Sequence, residues 1–249
     1  MVKRGGIWWD LDLSEGIDFS IYLLGGFEPK TLKLYKKIVK KGDTVLDIGA
    51  NIGSHTLPLA LNTGNSGMVF AIEPTEYAVT KLRKNINLNK DLASHISVFQ
   101  VMLVADENER LESDIYSSWP LFHDGKRIHP EHKGQLMETK GAVAMTLDHM
   151  VRQMHITTID FIKLDVDGHE YSVLMGGKET LKTFTPKILM EFAPYLFDAE
   201  EFEKILIFLK ELDYSLFDAN TGNELLLNPE YLKKIIPTGG SRNILLKPN

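Results

Sequence analysis

One ten-residue stretch constrains this chain more than any other. Residues 44–53 read Thr-Val-Leu-Asp-Ile-Gly-Ala-Asn-Ile-Gly. Its first half, residues 44–48, is the short, mostly apolar run of a buried strand. It delivers an acidic residue, Asp47, and is followed at once by a glycine turn at Gly49 and Gly53. Glycine lets the backbone turn tightly and approach a ligand closely. Open α/β sheets bind their ligands at such strand-to-helix corners. A dinucleotide loop would read G-x-G-x-x-G, with a pyrophosphate on the helix N-terminus. Here the order is D-x-G-x-N-x-G. A carboxylate at Asp47 repels a pyrophosphate and attracts an ammonium, so the pattern favours an amino-acid-bearing nucleotide over NAD.

A second apolar run, residues 68–72, ends in Glu73-Pro74. An acid at this place in related nucleotide folds accepts hydrogen bonds from ribose hydroxyls. The plain alternative is a surface glycine turn followed by an ordinary helix-start glutamate. Two features agreeing in spacing and context argue against it.

The rest of the chain supports alternating strands and helices. Residues 7–13 and 18–24 suggest a strand pair around Ser14-Glu15-Gly16, and Glu28-Pro29 opens a helix that Gly42 stops. Thr75 is placed to cap a helix ended by Asn85, Asn87 and Asn89. Residues 96–103 and 159–164 and 187–190 read as strands. Thr146 caps a helix, and Asp198 with Glu201 has the form of a capping box. Residues 214–218 and 243–247 are late strands. Such alternation implies βαβ units and a mostly parallel sheet. Residues 106–145 lack periodicity and read as an insertion with turns and a hairpin, of the kind that is usually functional. The expected organisation is a single domain over 1–249, with 1–42 as an N-terminal extension and 106–145 as an insertion or lid.

Composition narrows the function classes. The chain has 249 residues, a formal charge of −6 and no cysteine. Disulfides, thiolate metal sites and cysteine nucleophiles are excluded. The acidic balance argues against a nucleic-acid binder, which needs clustered Lys and Arg. No stretch approaches a membrane span. These features predict a cytoplasmic protein.

The segments VLDIGANIG at 45–53, VFAIEP at 69–74, KNINLN at 84–89, TLD at 146–148 and IDFIKLDVDGHE at 159–170 resemble FkbM-type S-adenosylmethionine-dependent methyltransferases, members of the class I superfamily. The resemblance implies an α/β, Rossmann-like fold. Its seven-stranded, mostly parallel sheet has an antiparallel last strand, to which this chain adds the N-terminal strand pair and the mid-chain insertion. It implies S-adenosyl-L-methionine as cofactor. Asp47, Gly49, Ala50, Asn51, Gly53, Glu73, Pro74, Met102 and Asp165 are the expected cofactor residues, with the loop backbone helping Asp47 at the aminocarboxylate end. It implies O-methylation of a hydroxyl on a sugar, polyketide or related metabolite, the acceptor being a small or glycan-linked molecule. Two departures stand out: Pro58, which threatens a kink in the helix after Gly53, and Asp167, where the family more often has Glu.

The fourth-strand motif supplies the candidate chemistry. Asp167 and Glu170 have capping-box spacing, with Asp167 as N-cap. Asp165 and His169 are not explained by capping. Imidazole ordinarily titrates near neutral pH, which suits proton abstraction. His169 is therefore the expected base, with Asp165 orienting it or the acceptor and Glu191 beside them on the next strand. His123, His129 and His132 suggest a lid more than a metal site, and no metal is expected. Trp119, Phe122, Tyr195 and Phe197 are candidate acceptor-pocket aromatics. A homodimer through the N-terminal strands is a further expectation. The competing functions are a non-catalytic nucleotide-binding module and, less favoured, an NAD-dependent oxidoreductase.

Overall fold

A computed structural model of the chain describes residues 1–122, 127–129 and 134–249. His123 and His132 lie outside the described residues. The chain divides into two compact units, residues 1–102 with 111–143, and residues 103–110 with 144–249.

In the first unit, strands Thr44–Ile48, Met68–Ile72 and Ile96–Phe99 are parallel, with Val45 opposite Val69 and Val69 opposite Ile96. Val45, Leu46, Ile48, Val69 and Ala71 are fully buried, as strands covered on both faces must be. Helices Thr56–Thr63 and Glu76–Asn87 follow the first two strands. Pro58 falls in the first turn of its helix because that helix begins at Thr56, not directly after Gly53. First-turn N–H groups have no intrahelical partner, so no kink is required.

The N-terminal extension differs from its sequence pattern. The strand pair is Val2–Arg4 with Ile7–Trp9, closed by the two-residue turn Gly5-Gly6. Residues 18–24 belong to a helix, Gly16–Leu24. The run is nearly all apolar, and such a run carries no decisive period. Burial selects the helix: Ile17 and Ile21, one turn apart, pack with Ile7, Trp9, Ile52 and Leu82 in one core. The strand expected over 96–103 is split into Ile96–Phe99 and Val101–Leu103. Gln100 marks the break, its side-chain amide donating to the Lys140 carbonyl at 2.8 Å. The insertion does contain a hairpin, Asp114–Ser118 paired with Gln135–Glu138.

In the second unit, Phe161–Leu164 and Lys187–Phe192 are parallel. Arg242–Pro248 runs antiparallel to both Lys187–Phe192 and Tyr214–Asp218. The seven strands of the expected fold are therefore all present, the last one antiparallel, and Glu224–Leu225 adds a short eighth on Tyr214–Asp218. Thr146 caps its helix by accepting from the His149 N–H at 3.1 Å. Asp198 and Glu201 form the expected capping box. No helix among the described residues is long and apolar enough to cross a membrane.

Candidate active site

The glycine turn of the first unit is tied down from within. Asp47 is buried at the strand end, and the Thr56 hydroxyl donates to its Oδ2 at 2.5 Å. Gly49 and Ala50 N–H groups both donate to the Ile72 carbonyl at 3.0 Å, and the Gly53 N–H donates to the Ala50 carbonyl at 2.9 Å. Asn51 has a left-handed backbone, φ 46°. Its N–H donates to Glu73 Oε2 at 3.0 Å, and its side-chain oxygen accepts from the Ile52 N–H at 2.8 Å. The N–H groups from 49 to 53 are thus spent inside the protein. A pyrophosphate cradle needs such groups pointing at the ligand, so this turn does not fit a dinucleotide. Two buried carboxylates fit a cofactor that carries a cationic sulfonium and ammonium.

Glu73 is the hub. It is 2% exposed. Besides Asn51, its Oε1 accepts from the Thr75 N–H at 2.9 Å and the Thr75 hydroxyl at 2.6 Å. Thr75 sits at the N-cap position of its helix but spends its hydroxyl on Glu73, not on the helix. Burial pushes the Glu73 carboxyl up, and these three donors oppose that shift. Each carboxylate oxygen has about two acceptor sites, so Oε2 retains capacity for a ligand hydroxyl. Gly53 has φ 92°, and a Cβ there would meet Leu82 Cδ1 at 2.8 Å. Ala50 is buried in the apolar cluster that includes Ile52 and Leu82, and Met102 is buried. The Pro74 carbonyl accepts from Gln100 Nε2 at 3.4 Å.

The asparagines of residues 85–89 do more than end a helix. Asn85 is fully buried. Its Nδ2 donates to the Ile52 carbonyl at 3.0 Å, and its Oδ1 accepts from the Asp10 N–H at 2.9 Å. Asn89 pairs with both the N–H and the carbonyl of Trp8, at 2.9 and 2.8 Å. The two amides act as strand edges: Asn85, in the helix Glu76–Asn87, holds the glycine turn and the N-terminal extension, and Asn89, just beyond that helix, holds the extension.

The second unit gathers charge around Lys163. This lysine lies in the strand Phe161–Leu164 and is 0% exposed. Its Nζ donates to Asp165 Oδ2 at 2.6 Å. Oxygens of Asp165, Asp167 and Glu191 lie within 4.8 Å of one another. Asp165's negative charge, then burial, push the Glu191 carboxyl well up, and Glu191 hydrogen-bonds to Asp165. The Ser241 hydroxyl donates to Glu191 Oε1. Glu191 lies inside the strand Lys187–Phe192, one residue before its end. Lys163 is the residue that the sequence pattern hides, since a lone Lys in an apolar strand reads as one whose head reaches solvent.

Asp167 is not a helix cap. It has φ 50°, and the helix Glu170–Gly176 has His169 at its N-cap position, with no side-chain cap bond. Glu170 reaches back instead to the turn, accepting from the Val166 and Gly168 N–H groups at 3.2 and 3.1 Å. Burial pushes its carboxyl up to about 7. The His169 ring is half-buried and has no hydrogen-bond partner among the described residues. Of the other candidates, His129 packs edge-on against Tyr116, Phe197 packs against Phe192 in the core, and Phe122 is exposed.

The family model of the methyltransferase FkbM domain matches residues 47–216, more than half of the chain. A probable cobalt-precorrin-6B C(15)-methyltransferase (decarboxylating) of Saccharolobus solfataricus is 35% identical over 115 residues, 41% of this chain and 58% of that protein. The 2-O-methyltransferase NoeI of Sinorhizobium fredii is 28% identical over 182 residues, 66% of this chain and 70% of NoeI. The chain therefore spans well under two thirds of the first relative's length. The crystal structure of methyltransferase FkbM from Methylobacillus flagellatus shares the fold, with a TM-score of 0.50 and 15% identity over 86% of this chain and 50% of that one. The family's methyl donor is S-adenosylmethionine. The matched span includes both the glycine turn with Glu73 and the Lys163 cluster, and the chain belongs to the methyltransferase FkbM domain family.

Proposed function

We propose that this chain transfers the methyl group of S-adenosylmethionine to a hydroxyl oxygen of a sugar, polyketide or related small metabolite. The observation that carries this reading is the composition of the second unit's cluster. It combines hydrogen-bonding carboxyl groups, which suit a hydroxyl, with an imidazole two residues along the same turn, at the N-cap position of the helix Glu170–Gly176. The likeness to a 2-O-methyltransferase supports it.

In the first unit, Glu73 would hold the ribose and Asp47 the amino end of the cofactor. The bound cofactor supplies an electrophilic methyl group on its sulfonium. Everything else falls to the chain's own residues. Holding the reactants aligned contributes roughly 7–11 kcal/mol of barrier reduction. Asp165 accepts a hydrogen bond from the acceptor hydroxyl and fixes its direction. Its Oδ2 is already engaged by the Lys163 ammonium. Glu191, whose carboxyl the Asp165 charge and burial push up, hydrogen-bonds to Asp165. His169 takes the hydroxyl proton on a ring nitrogen as the oxygen–carbon bond forms and the sulfur–carbon bond breaks. A positioned base contributes about 10²–10⁴-fold.

Single-turnover transfer from S-adenosylmethionine to a panel of methyl glycosides and polyketide alcohols tests the reading. His169→Gln should slow transfer by about 10²-fold or more, with S-adenosylhomocysteine affinity unchanged. A His169→Gln protein at wild-type rate, with Asp165→Asn or Glu191→Gln inactive, moves the proton to a carboxylate. Cofactor binding without transfer to any acceptor would favour a non-catalytic module.

A further inference from the structure

Three carboxyl groups with oxygens within 4.8 Å of one another form an arrangement that could gather a divalent cation through those oxygens. Here the nearest positive charge belongs to the chain. Lys163 comes from a strand whose four residues are all buried, and a buried ammonium is tolerated only when it is paired. Its Nζ lies 2.6 Å from Asp165 Oδ2, within the span of a charge-assisted hydrogen bond. Glu191 is fixed on its other side by the Ser241 hydroxyl. The ammonium thus already occupies one oxygen of Asp165, and a metal bound at this carboxylate would face like-charge repulsion from it.

We propose that Lys163 is a positioning residue whose ammonium replaces a divalent cation, so that Asp165, Asp167 and Glu191 hold the acceptor hydroxyl without a metal. This rests on the assignment of that cluster to the acceptor. Lysine is suited to the part because its head is a compact point charge, unlike the planar guanidinium of arginine. Lys163 orients Asp165 and limits the negative charge of the cluster. It does not touch the transferred methyl group. Loss of the ammonium leaves three carboxyl groups without their internal cation, and the cluster should then recruit one from solution.

Manganese titration of the full chain, read by electron paramagnetic resonance, tests the inference without an acceptor. The wild type should leave Mn²⁺ free. Lys163→Met, checked for folding by circular dichroism, should bind Mn²⁺ at least about tenfold more tightly. Asp165→Asn in the same background should abolish that gain, and Lys163→Arg, which keeps the charge, should exclude the ion. Failure of Lys163→Met to gain Mn²⁺ overturns the proposal. So does wild-type binding of Mn²⁺ that Asp165→Asn removes, a result that needs no folded lysine variant. Methyl transfer by the wild type should also survive excess EDTA, and its loss with recovery on adding Mg²⁺ overturns the proposal. If no hydroxyl acceptor is methylated while the manganese results hold, the acceptor assignment fails and the internal-cation role stands.

Discussion

The Asn51 N–H donates to Glu73 Oε2 at 3.0 Å, so the residue expected to hold the ribose also holds the glycine turn. Removing Glu73 therefore has two effects. Glu73→Ala should weaken S-adenosylhomocysteine binding at least ~10-fold, from loss of a buried charge-assisted bond of about 1.5–3 kcal/mol. Thr75→Val removes the hydroxyl bond to Oε1 but keeps the carboxylate, and should cost less affinity. Isothermal titration of both variants separates ligand contact from turn support. Equal affinity for Glu73→Ala and wild type would remove Glu73 from the cofactor site.

Asn85 links Ile52 in the glycine turn to Asp10 in the N-terminal extension. Asn85→Leu would leave the Ile52 carbonyl and the Asp10 N–H without that partner. The expected cost is about 1–3 kcal/mol for each buried group left unsatisfied. Urea denaturation should show the loss as a lower midpoint. A neutral outcome would mean that the extension is not held through this amide.

Asp18 and Lys81 form a largely buried pair, with Nζ 2.5 Å from Asp18 Oδ1 and the Asp12 N–H 2.7 Å from the same oxygen. Burial pushes the Asp18 carboxyl up even with its partner in place. Lys81→Met should destabilise the chain by about 3–5 kcal/mol, because it leaves an uncompensated buried charge. The deficit should narrow as pH falls and Asp18 takes up a proton. Thermal melts at two pH values check both statements.

Much of this is legible in the amino-acid sequence, and the reasons are local. The strand Thr44–Ile48 and its turn could be read because a buried parallel strand is a continuous apolar run and the acid–glycine spacing is short-range. The helix Gly16–Leu24 could not, because Phe19 to Leu24 is apolar at nearly every position and satisfies either period. Asn85 and Asn89 look like helix terminators by propensity, and only their distant partners Trp8 and Asp10 show otherwise. Lys163 is hidden for a different reason: its partner Asp165 is near in sequence, but its complete burial depends on the surrounding fold. The spacing of Asp167 and Glu170 suggested a cap, yet the left-handed backbone at Asp167 sends the turn elsewhere and Glu170 braces it.

Glu170 gives the fold a pH dependence of known sign. Its carboxyl is pushed from 4.5 to about 7 by burial, so the folded state holds this proton more tightly than the unfolded chain does. The contribution to stability is therefore greatest at low pH. It falls by up to about 1.4 kcal/mol per unit as pH rises from the unfolded value to the folded one, then levels off. Glu170→Gln should flatten that slope in urea midpoints measured from about pH 5 to about pH 8. An unchanged slope would assign the pH dependence to other groups.

The reaction proposed for this chain is transfer of a methyl group to a hydroxyl oxygen. Its most direct measurement is the chemical stability of the product formed from methyl-labelled S-adenosylmethionine and an accepted glycoside or alcohol. A methyl ether is expected, with the label retained through mild alkali and lost from His169→Gln reactions run for the same time. Label released as methanol by mild alkali would identify a carboxylate acceptor and rule out methyl transfer to a hydroxyl, as would label bonded to carbon or nitrogen.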